Sequence, residues 1–337
     1  MKDSLRRAGS ALARNDVAGT GLFTVLLFVA LALTSKGFAS AYNATANLQL
    51  LAIFAVVGLA QMVVLALGQF NLAVGSMGCL AGIGMGFLMQ GLSWPPIFAI
   101  AAALAIAAAL GFIQGELTAR SGIAPFIISL ALLSAYKGLA YVICRGEPYQ
   151  SLSDSFMRLG GANLGVFPLI FLIAVVGCLA IAFVFRFLPV GKKLLACGAN
   201  PRAAIYTGIE LKRTVVAGHA LSGFLCGLAA ILQIIRFGSA QLSVGTDWMM
   251  TSFMAPVLGG TLLSGGKVSV PGTLVGAILV VLIKNALVLW GASTYNSDIF
   301  LGALLVVAYG VDGLRRRMMA KDGLSTTSLQ KAAGDDE

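Results

Sequence analysis

Long apolar runs, separated by short polar segments, recur along almost the whole chain. Each run is close to the roughly 20 residues that a helix needs to cross the hydrocarbon core of a membrane. The pattern predicts about ten transmembrane helices, and a count of nine or eleven also fits it. Two predicted spans could be broken helices or re-entrant segments: 72–92, which is rich in glycine, and 246–264, which polar residues interrupt. The predicted spans lie near 20–39, 47–67, 72–92, 95–116, 123–143, 166–187, 214–236, 246–264, 268–290 and 298–313.

The composition supports a membrane protein rather than a soluble one. Of the 337 residues, 58% are hydrophobic and 11% are charged, and the mean hydropathy is +0.93. Soluble domains carry about a quarter charged residues. We therefore expect an all-α polytopic membrane protein, with one transmembrane domain over 1–317 and a polar, disordered tail over 318–337. Because little chain remains for a soluble catalytic domain, the sequence does not predict an enzyme.

The distribution of lysine and arginine predicts which loops face the cytoplasm. Most of the positive charge falls in the N-terminal segment, in the loop 189–213 and after residue 313, whereas the long loop 144–165 belongs to the less basic side. Cytoplasmic loops carry an excess of these residues, so both termini are predicted to be cytoplasmic. The net charge of +10 is scattered over loops and does not predict nucleic-acid binding. A cleavable secretory signal that ends at Ala39–Ala41 is an open alternative for the first span.

Motifs that would give the chain its own chemistry are incomplete. Thr261–Val268, TLLSGGKV, resembles a phosphate-binding loop, but it lacks the first glycine and has Val268 where a hydroxyl should bind magnesium. His219 and Ser222 share a helical face, as an intramembrane hydrolase would need, yet one helical turn is poor geometry for a nucleophile and its base. The five cysteines are dispersed and include no C-x-x-C pair. The sequence therefore predicts no catalytic residue, no bound cofactor and no metal.

The stretch Leu194–Arg213, LLACGANPRAAIYTGIELKR, is polar and basic between two apolar spans. Asn200 followed by Pro201 is typical of a helix start, because asparagine caps free N–H groups and proline needs no donor in the first turn. Gly208 provides a stop, which predicts a cytoplasmic helix of about two turns, RAAIYT. A loop that only orients the chain needs lysine and arginine alone. The cap, the small residues and the glycine therefore favour a docking element.

This stretch and three others resemble the ribose-type permeases of ATP-binding-cassette importers. GKKLLACGANPRAAIYTGI matches their cytoplasmic loop pattern, G-[KR]-x-x-x-A-x-G-x-N-x-x-A-A-x-x-x-G-I. GQFNLAVGSM, residues 68–77, is similar to the glycine-rich inner turn of the family, and residues 123–140 are similar to its segment with P-P-F-I-V-T-L. LGGTLLSGG, within 239–277, matches L-G-G-T-S-L-[SF]-G-G. The sequence departs from the family at Asn71, where aspartate is usual, and at Ala73, where serine is usual.

The resemblance implies a multi-pass permease subunit of the bacterial inner membrane, paired with a second copy or a close relative. Two cytoplasmic ATPases, which bind ATP and Mg, would grip the short helix. An external solute-binding protein would deliver a monosaccharide or a similar small polar solute. The sequence names neither the solute nor the choice between homodimer and heterodimer. The implied ATPase-coupling residues are Gly198, Asn200, Pro201, Ala203, Ala204, Tyr206, Gly208 and Ile209.

The polar residues inside the predicted spans are mostly amides rather than charged groups. They favour a neutral, hydroxyl-rich solute over an ion. The alternative function is a stand-alone secondary carrier or channel, although no convincing buried carboxylate for ion coupling is evident. The predicted translocation pathway comprises Gln69, Phe70, Asn71, Phe126 and Ser129, and the predicted structural glycines are Gly68, Gly75, Gly259, Gly260, Gly265 and Gly266.

Overall fold

The computed structural model describes residues 16–35, 37–165, 167–291, 299 and 302–303. In this part the chain forms twelve α-helices and one short antiparallel hairpin, β1 (Asn163–Leu164) with β2 (Phe167–Pro168). The helices are α1 (Asp16–Thr34), α2 (Ala41–Leu65), α3 (Val74–Gly86), α4 (Pro96–Arg120), α5 (Pro125–Cys144), α6 (Asp154–Gly161), α7 (Leu169–Phe187), α8 (Pro189–Ala199), α9 (Pro201–Tyr206), α10 (Leu211–Phe237), α11 (Trp248–Leu258) and α12 (Val270–Leu289). A π-helical turn, Phe87–Gly91, extends α3.

Seven segments of the described chain are long and apolar enough to cross a membrane. They are α2, α3 with its π-helical turn, α4, α5, α7, α10 and α12, and they coincide with seven of the predicted spans. The glycine-rich span 72–92 is therefore helical from Val74 to Gly91. The protein is an all-α polytopic membrane protein, as predicted. The predicted span 298–313 and the tail 318–337 lie outside the described residues except for 299 and 302–303, so the count of ten spans and the disordered tail stay predictions.

The predicted span 246–264 is broken in the structure. Its helix, α11, has 11 residues, or about 17 Å at about 1.5 Å per residue, which is shorter than the roughly 30 Å hydrocarbon core. Pro256 lies inside this helix, and non-helical backbone from 238 to 247 precedes it. Such backbone is tolerated at membrane depth where other parts of the protein satisfy it. Ala240 meets this condition because its N–H and carbonyl both hydrogen-bond to the backbone of Tyr149, each at 2.9 Å.

Helix α10 gives the bundle two ends, which we name after the short helices beside them. The α9 end is the end where α8 and α9 precede Leu211. The α6 end is the end where α6 packs on the last turns of α10, with Gly160 against the backbone carbonyl of Ile235. The first residues of α2 and the last residues of α12 also lie at the α6 end, where Phe237 shares a cavity with Asn43 and Asn285.

Close backbone contacts fix the centre of the bundle. Helix α2 is buried continuously from residue 52 to residue 65 and contacts α7, α10, α11 and α12. Helix α4 runs antiparallel to α10, and a Cβ on Gly223 would overlap the carbonyl of Ala107, while one on Gly111 would overlap the carbonyl of His219. Small residues allow membrane helices to approach this closely, and the resulting packing stabilises their association. Helices α4 and α10 are therefore tightly joined.

Candidate coupling surface and solute cavity

The α9 end carries two short helices joined at Asn200. Pro201 occupies the first turn of α9, where no N–H donor is needed. Asn200 is extended, and its Oδ1 accepts a hydrogen bond from the backbone N–H of Ala203 at 3.1 Å. Gly208 follows the helix with a φ of +80°, a left-handed conformation that glycine adopts without strain. The short helix is thus present from Pro201 to Tyr206, with the cap and the glycine that the sequence predicts.

Helix α9 presents a partly apolar face to solvent. The side chains of Tyr206 and Ile205 are 92% and 54% exposed, and Ala203 is exposed as well. Ala204 is buried, and Ile209 packs against the core. An exposed aromatic beside an exposed aliphatic side chain is typical of a docking surface. We call Ala203, Ile205 and Tyr206 the coupling face, whereas the predicted residues Ala204 and Ile209 anchor the helix to the bundle.

A junction of glycines joins α8 to α2 and to the loop between α11 and α12. The carbonyl of Ala66, directly after α2, accepts a hydrogen bond from the backbone N–H of Gly266 at 3.0 Å. A Cβ on Gly198, in α8, would overlap the same carbonyl. Gly68 and Gly265 are equally close, because a Cβ on Gly265 would lie 2.6 Å from the backbone nitrogen of Gly68. We call these four glycines the glycine junction, in which three segments touch directly through their backbones.

The other predicted structural glycines also lie where backbone must pass closely or turn. A Cβ on Gly259 would overlap the backbone of Gly272, at the start of α12. A Cβ on Gly75 would overlap the carbonyl of Gly245, in the backbone before α11. Gly260 has a φ of +80°, so a side chain there would be strained. The glycines thus hold both ends of the broken span against neighbouring elements.

The predicted pathway residues Gln69 and Asn71 are held by side chains of α10. Oε1 of Gln69 lies 2.9 Å from Nε2 of His219. Asn71 is fully buried, and its Nδ2 donates to Oγ of Ser222 at 3.5 Å. His219 and Ser222 therefore have different partners, and no hydrogen bond joins the two in the described part of the chain. This arrangement gives no support to an intramembrane hydrolase, which needs the histidine to act on the serine.

The remaining predicted pathway residues lie in other contacts. The ring of Phe70 packs on that of Phe253, with centroids 5.9 Å apart. On α5, buried Ser129 donates to the backbone carbonyl of Phe126 at 2.9 Å, while the ring of Phe126 is half exposed. Among the described residues, no hydrogen bond or ring contact joins α5 to Gln69. The predicted pathway residues thus lie on two segments that no hydrogen bond or ring contact joins among the described residues, and their role in transport stays a prediction.

A groove of about 230 Å³ lies between α3, α5 and the backbone before α11. Gly75, Gly245 and Lys137 line it, and the side chain of Lys137 is exposed. Ionisable residues within a membrane span are costly and usually face a partner or a water-filled space. The groove therefore brings Lys137, on α5, close to the point where the backbones of Gly75 and Gly245 touch.

A larger cavity, of about 620 Å³, lies at the α6 end between α2, α10, α12 and the start of α11. Nζ of Lys284 lies 2.7 Å from Oδ2 of Asp247 and 4.6 Å from the ring centroid of Phe54. The amides of Asn43 and Asn285 pair, with Nδ2 of Asn285 donating to Oδ1 of Asn43 at 2.7 Å. We call this space the α6-end cavity; of the three charged residues that line it, Asp247 and Lys284 pair with each other, and Arg236 makes no ion pair within the described part of the chain.

Sequence reasoning did not identify the α6-end cavity. Asp247 and Lys284 are 37 positions apart, and Asn43 and Asn285 are 242 positions apart, so no local motif contains either pair. The available signal was the presence of an acidic residue and a lysine in neighbouring spans, since such residues are stable in a membrane when they pair. That signal does not specify which residues meet.

The chain is similar to known permease proteins over most of its length. The family model described as "Branched-chain amino acid transport system / permease component" matches residues 43–309, which include all predicted coupling and pathway residues. The ribose import permease protein of Escherichia coli (strain K12) is 30% identical over 301 residues, which cover 88% of this chain and 93% of that protein. No solved structure matches the chain.

Two further relatives also match most of their length. The L-arabinose ABC transporter permease protein of Azospirillum brasilense is 29% identical over 303 residues, which cover 89% of this chain and 88% of that protein. The fructose import permease protein of Rhizobium meliloti is 29% identical over 291 residues, which cover 84% of this chain and 81% of that protein. The similarity therefore extends over nearly the whole bundle rather than over one motif.

Proposed function

Because the chain belongs to the family of transport-system permease components that matches it over 43–309, we propose that it is the membrane permease subunit of an ATP-driven importer for a monosaccharide or a similar small polar solute. An external binding protein delivers the solute, and two cytoplasmic ATPases bind ATP and Mg. The chain pairs with a second copy or a close relative in the bacterial inner membrane. It crosses that membrane about ten times, with both termini and the α9 end in the cytoplasm.

The observation that carries this proposal is the coupling face on α9. Tyr206 and Ile205 stay exposed, and an ATPase groove that covers them would remove their apolar surface from water. The glycine junction then joins α8, directly before α9, to the end of α2 and to the loop before α12. Closure of the two ATPases displaces α8 and α9, and the junction passes the displacement to the bundle. The bundle tilts and exchanges outward for inward access.

The names of the relatives favour a sugar over a branched-chain amino acid. The three relatives that we compare are named for ribose, arabinose and fructose, whereas the family description names branched-chain amino acids. In the α6-end cavity, Asp247 and Lys284 already pair with each other at 2.7 Å. The ammonium of an amino acid would have to compete with Lys284 for Asp247, whereas the hydroxyl groups of a sugar need only donors and acceptors, and Arg236 offers N–H donors in the same cavity.

Reconstitution with and without partners tests the proposal. The chain is placed in liposomes alone, and together with its cognate ATPase and binding protein. Uptake of radiolabelled D-ribose, L-arabinose, D-fructose and L-leucine is measured with and without ATP and Mg. We expect uptake of at least one sugar, only in the complete system and only with ATP.

The other outcomes separate the alternatives. Uptake by the chain alone would indicate a stand-alone carrier or channel and would overturn the importer proposal. ATP-dependent uptake of L-leucine without any sugar would retain the permease role and overturn the sugar assignment. Because each labelled solute is tested in the same vesicles, differences in reconstitution do not affect the comparison.

A further inference from the structure

A groove of about 320 Å³ lies between α4 and α10 at the α9 end of the bundle. The two helices run antiparallel, so the last turns of α4 lie beside the first turns of α10. Arg120 is the last residue of α4, and Lys212 and Arg213 are the second and third residues of α10. All three line the groove, together with Phe112 and Ala220 deeper along the helices. We call this space the α4–α10 groove.

The cations of the groove keep the capacity to bind an anion. Arg120 pairs with Glu116, and Nε of Arg213 lies 2.8 Å from Oε2 of Glu210. Both arginine side chains are more than two-thirds exposed, and exposed pairs of this kind contribute little to stability. Each guanidinium also carries further N–H donors that its carboxylate does not use. Lys212 makes no hydrogen bond or ion pair with the other described residues.

A second space, of about 260 Å³, adjoins the groove and shares Arg213 and Ala217 with it. Lys193, on α8, lines this space and is likewise unpaired within the described part of the chain. Glu210 lines it too, but this carboxylate pairs with Arg213. The two spaces together are lined by four cations and two carboxylates. The excess positive charge therefore attracts an anion to this side of the bundle.

The lengths of α4 and α10 place the α4–α10 groove at the level of the lipid headgroups. The helices have 25 and 27 residues, or about 38 and 40 Å at about 1.5 Å per residue. The hydrocarbon core of a bilayer is about 30 Å thick, and the headgroup regions bring the total to about 40–45 Å. The end residues of both helices thus extend beyond the hydrocarbon. Arg120 and Lys212 can therefore reach the lipid phosphates.

Toward the centre of the membrane, the walls of the groove become apolar. On α4, Phe112 lines the groove two turns before Arg120, and its side chain is 49% exposed. On α10, Ala220 lines it two turns after Lys212. Phe224, one turn further along the same face, is 39% exposed. Cations at the end of the groove and exposed apolar side chains farther in match the two parts of a phospholipid.

We propose that the α4–α10 groove binds an anionic phospholipid of the surrounding membrane, with the phosphate near Lys212 and the hydrocarbon chains along Phe112 and Phe224. Lysine and arginine bind phosphate through charge-assisted hydrogen bonds, and basic pockets between transmembrane helices recognise anionic headgroups in this way. A carboxylate of a partner protein would bind the same cations but would leave the apolar walls uncovered. The proposal goes beyond the importer function and does not depend on which solute is transported.

Binding of defined lipids to the purified chain tests the proposal. The full chain is delipidated in detergent and titrated with phosphatidylglycerol or with phosphatidylcholine that has the same acyl chains. Native mass spectrometry counts the bound lipids, and the thermal unfolding midpoint is measured in parallel. We expect the first phosphatidylglycerol to bind at least about 10-fold more tightly than phosphatidylcholine, and to raise the midpoint, because it alone carries a net negative charge.

Two double variants separate a site from a general effect of charge. Lys193→Gln with Lys212→Gln removes the two unpaired cations and should weaken phosphatidylglycerol binding about 10-fold or more, or about 1.4 kcal/mol. Lys192→Gln with Lys267→Gln is the matched control. Both control lysines are exposed near the same end, Lys267 directly after Gly266 of the glycine junction, and neither lines the groove or the space beside it. The control should bind phosphatidylglycerol within about twofold of the unmodified chain.

Four results would overturn the proposal. Equal affinity for the two lipids would show that the groove does not select an anionic headgroup. Equal weakening by both double variants would show that any positive charge at this end attracts the lipid. A midpoint raised as far by sn-glycerol 3-phosphate as by phosphatidylglycerol would indicate a site for a free phosphate. Reduced copurification of the ATPase by the Lys193→Gln, Lys212→Gln variant, with unchanged lipid binding, would assign these cations to the ATPase.

The lipid titration uses neither ATP nor a transported solute. Its failure therefore leaves the ATP-driven uptake experiment unaffected. Lipid binding without ATP-dependent uptake would instead retain the groove as a lipid site and overturn the importer function.

Discussion

Replacing Tyr206 with glutamate is expected to reduce ATP-dependent uptake at least about 10-fold while the chain still inserts and folds. Tyr206 is 92% exposed, so the substitution disturbs no contact inside the chain. A central aromatic residue of an interface commonly contributes about 2 kcal/mol or more, equivalent to about 30-fold in affinity. A carboxylate there must also lose water when the ATPase covers it. Uptake into vesicles and the amount of ATPase that copurifies are both expected to fall.

Lys192→Gln is the matched control for Tyr206→Glu. Lys192 is also exposed at the same end, but it lies in α8 and outside the coupling face. Its replacement should leave uptake and copurification within about twofold of the unmodified chain, since exposed surface substitutions usually change little. Equal uptake by both variants would contradict a docking role for α9. A thermal unfolding midpoint that drops only for Tyr206→Glu would show a folding defect instead.

Replacing Gly198 with alanine should prevent the chain from folding stably. A Cβ at this position would overlap the carbonyl of Ala66 and would lie 2.8 Å from the backbone nitrogen of Gly266. Both neighbours are backbone atoms that bond to each other at 3.0 Å, so neither can rotate away. Overpacking in a core typically costs about 1–3 kcal/mol, and we expect a cost at or above the top of that range. The measurement is the thermal unfolding midpoint of the purified chain in detergent.

Gly138→Ala is the control, because it replaces a glycine in a helix with alanine without creating an overlap. Gly138 lies inside α5, and a Cβ there would meet nothing within 4 Å in the described structure. Because alanine favours a helix over glycine by about 0.5–1 kcal/mol, this variant should be unchanged or slightly more stable. An unfolding midpoint for Gly198→Ala that equals that of Gly138→Ala would mean that the glycine junction does not hold the three segments together.

The short helix α9 was predictable because its signals are local. Asn200 and Pro201 are adjacent, and Gly208 comes two residues after the helix ends, so the cap, the first turn and the stop are all read from a few residues. The structure adds which side chains of α9 face the bundle and which face outward. Ala204 turns toward the bundle while Ala203 and Tyr206 face outward, because α9 packs on α8 and α10 on one side only.

The tertiary contacts were not predictable from one sequence. The glycine Gly198 is evident in the sequence, but its neighbour, the carbonyl of Ala66, lies more than a hundred positions away. The pairing of Asp247 with Lys284 likewise depends on how α11 and α12 pack. The sequence marked the span 246–264 as one that could be broken or re-entrant because polar residues interrupt it, but it did not show that the helix ends at Leu258. Long-range packing settled these points.

We propose that an ATPase reaches the bundle through α9. A photoactivatable maleimide attached to Ala203→Cys tests it directly, because Ala203 is exposed and the five native cysteines are all buried. Burial also raises the pKa of the nearby Cys197 thiol, which slows its reaction with maleimide. The comparison position is Glu147→Cys, which is exposed in the loop between α5 and α6. Illumination of the complete transporter should link the ATPase to Ala203→Cys and not to Glu147→Cys. Linkage of the ATPase to Glu147→Cys alone, in a preparation that still imports solute with ATP, would contradict the account.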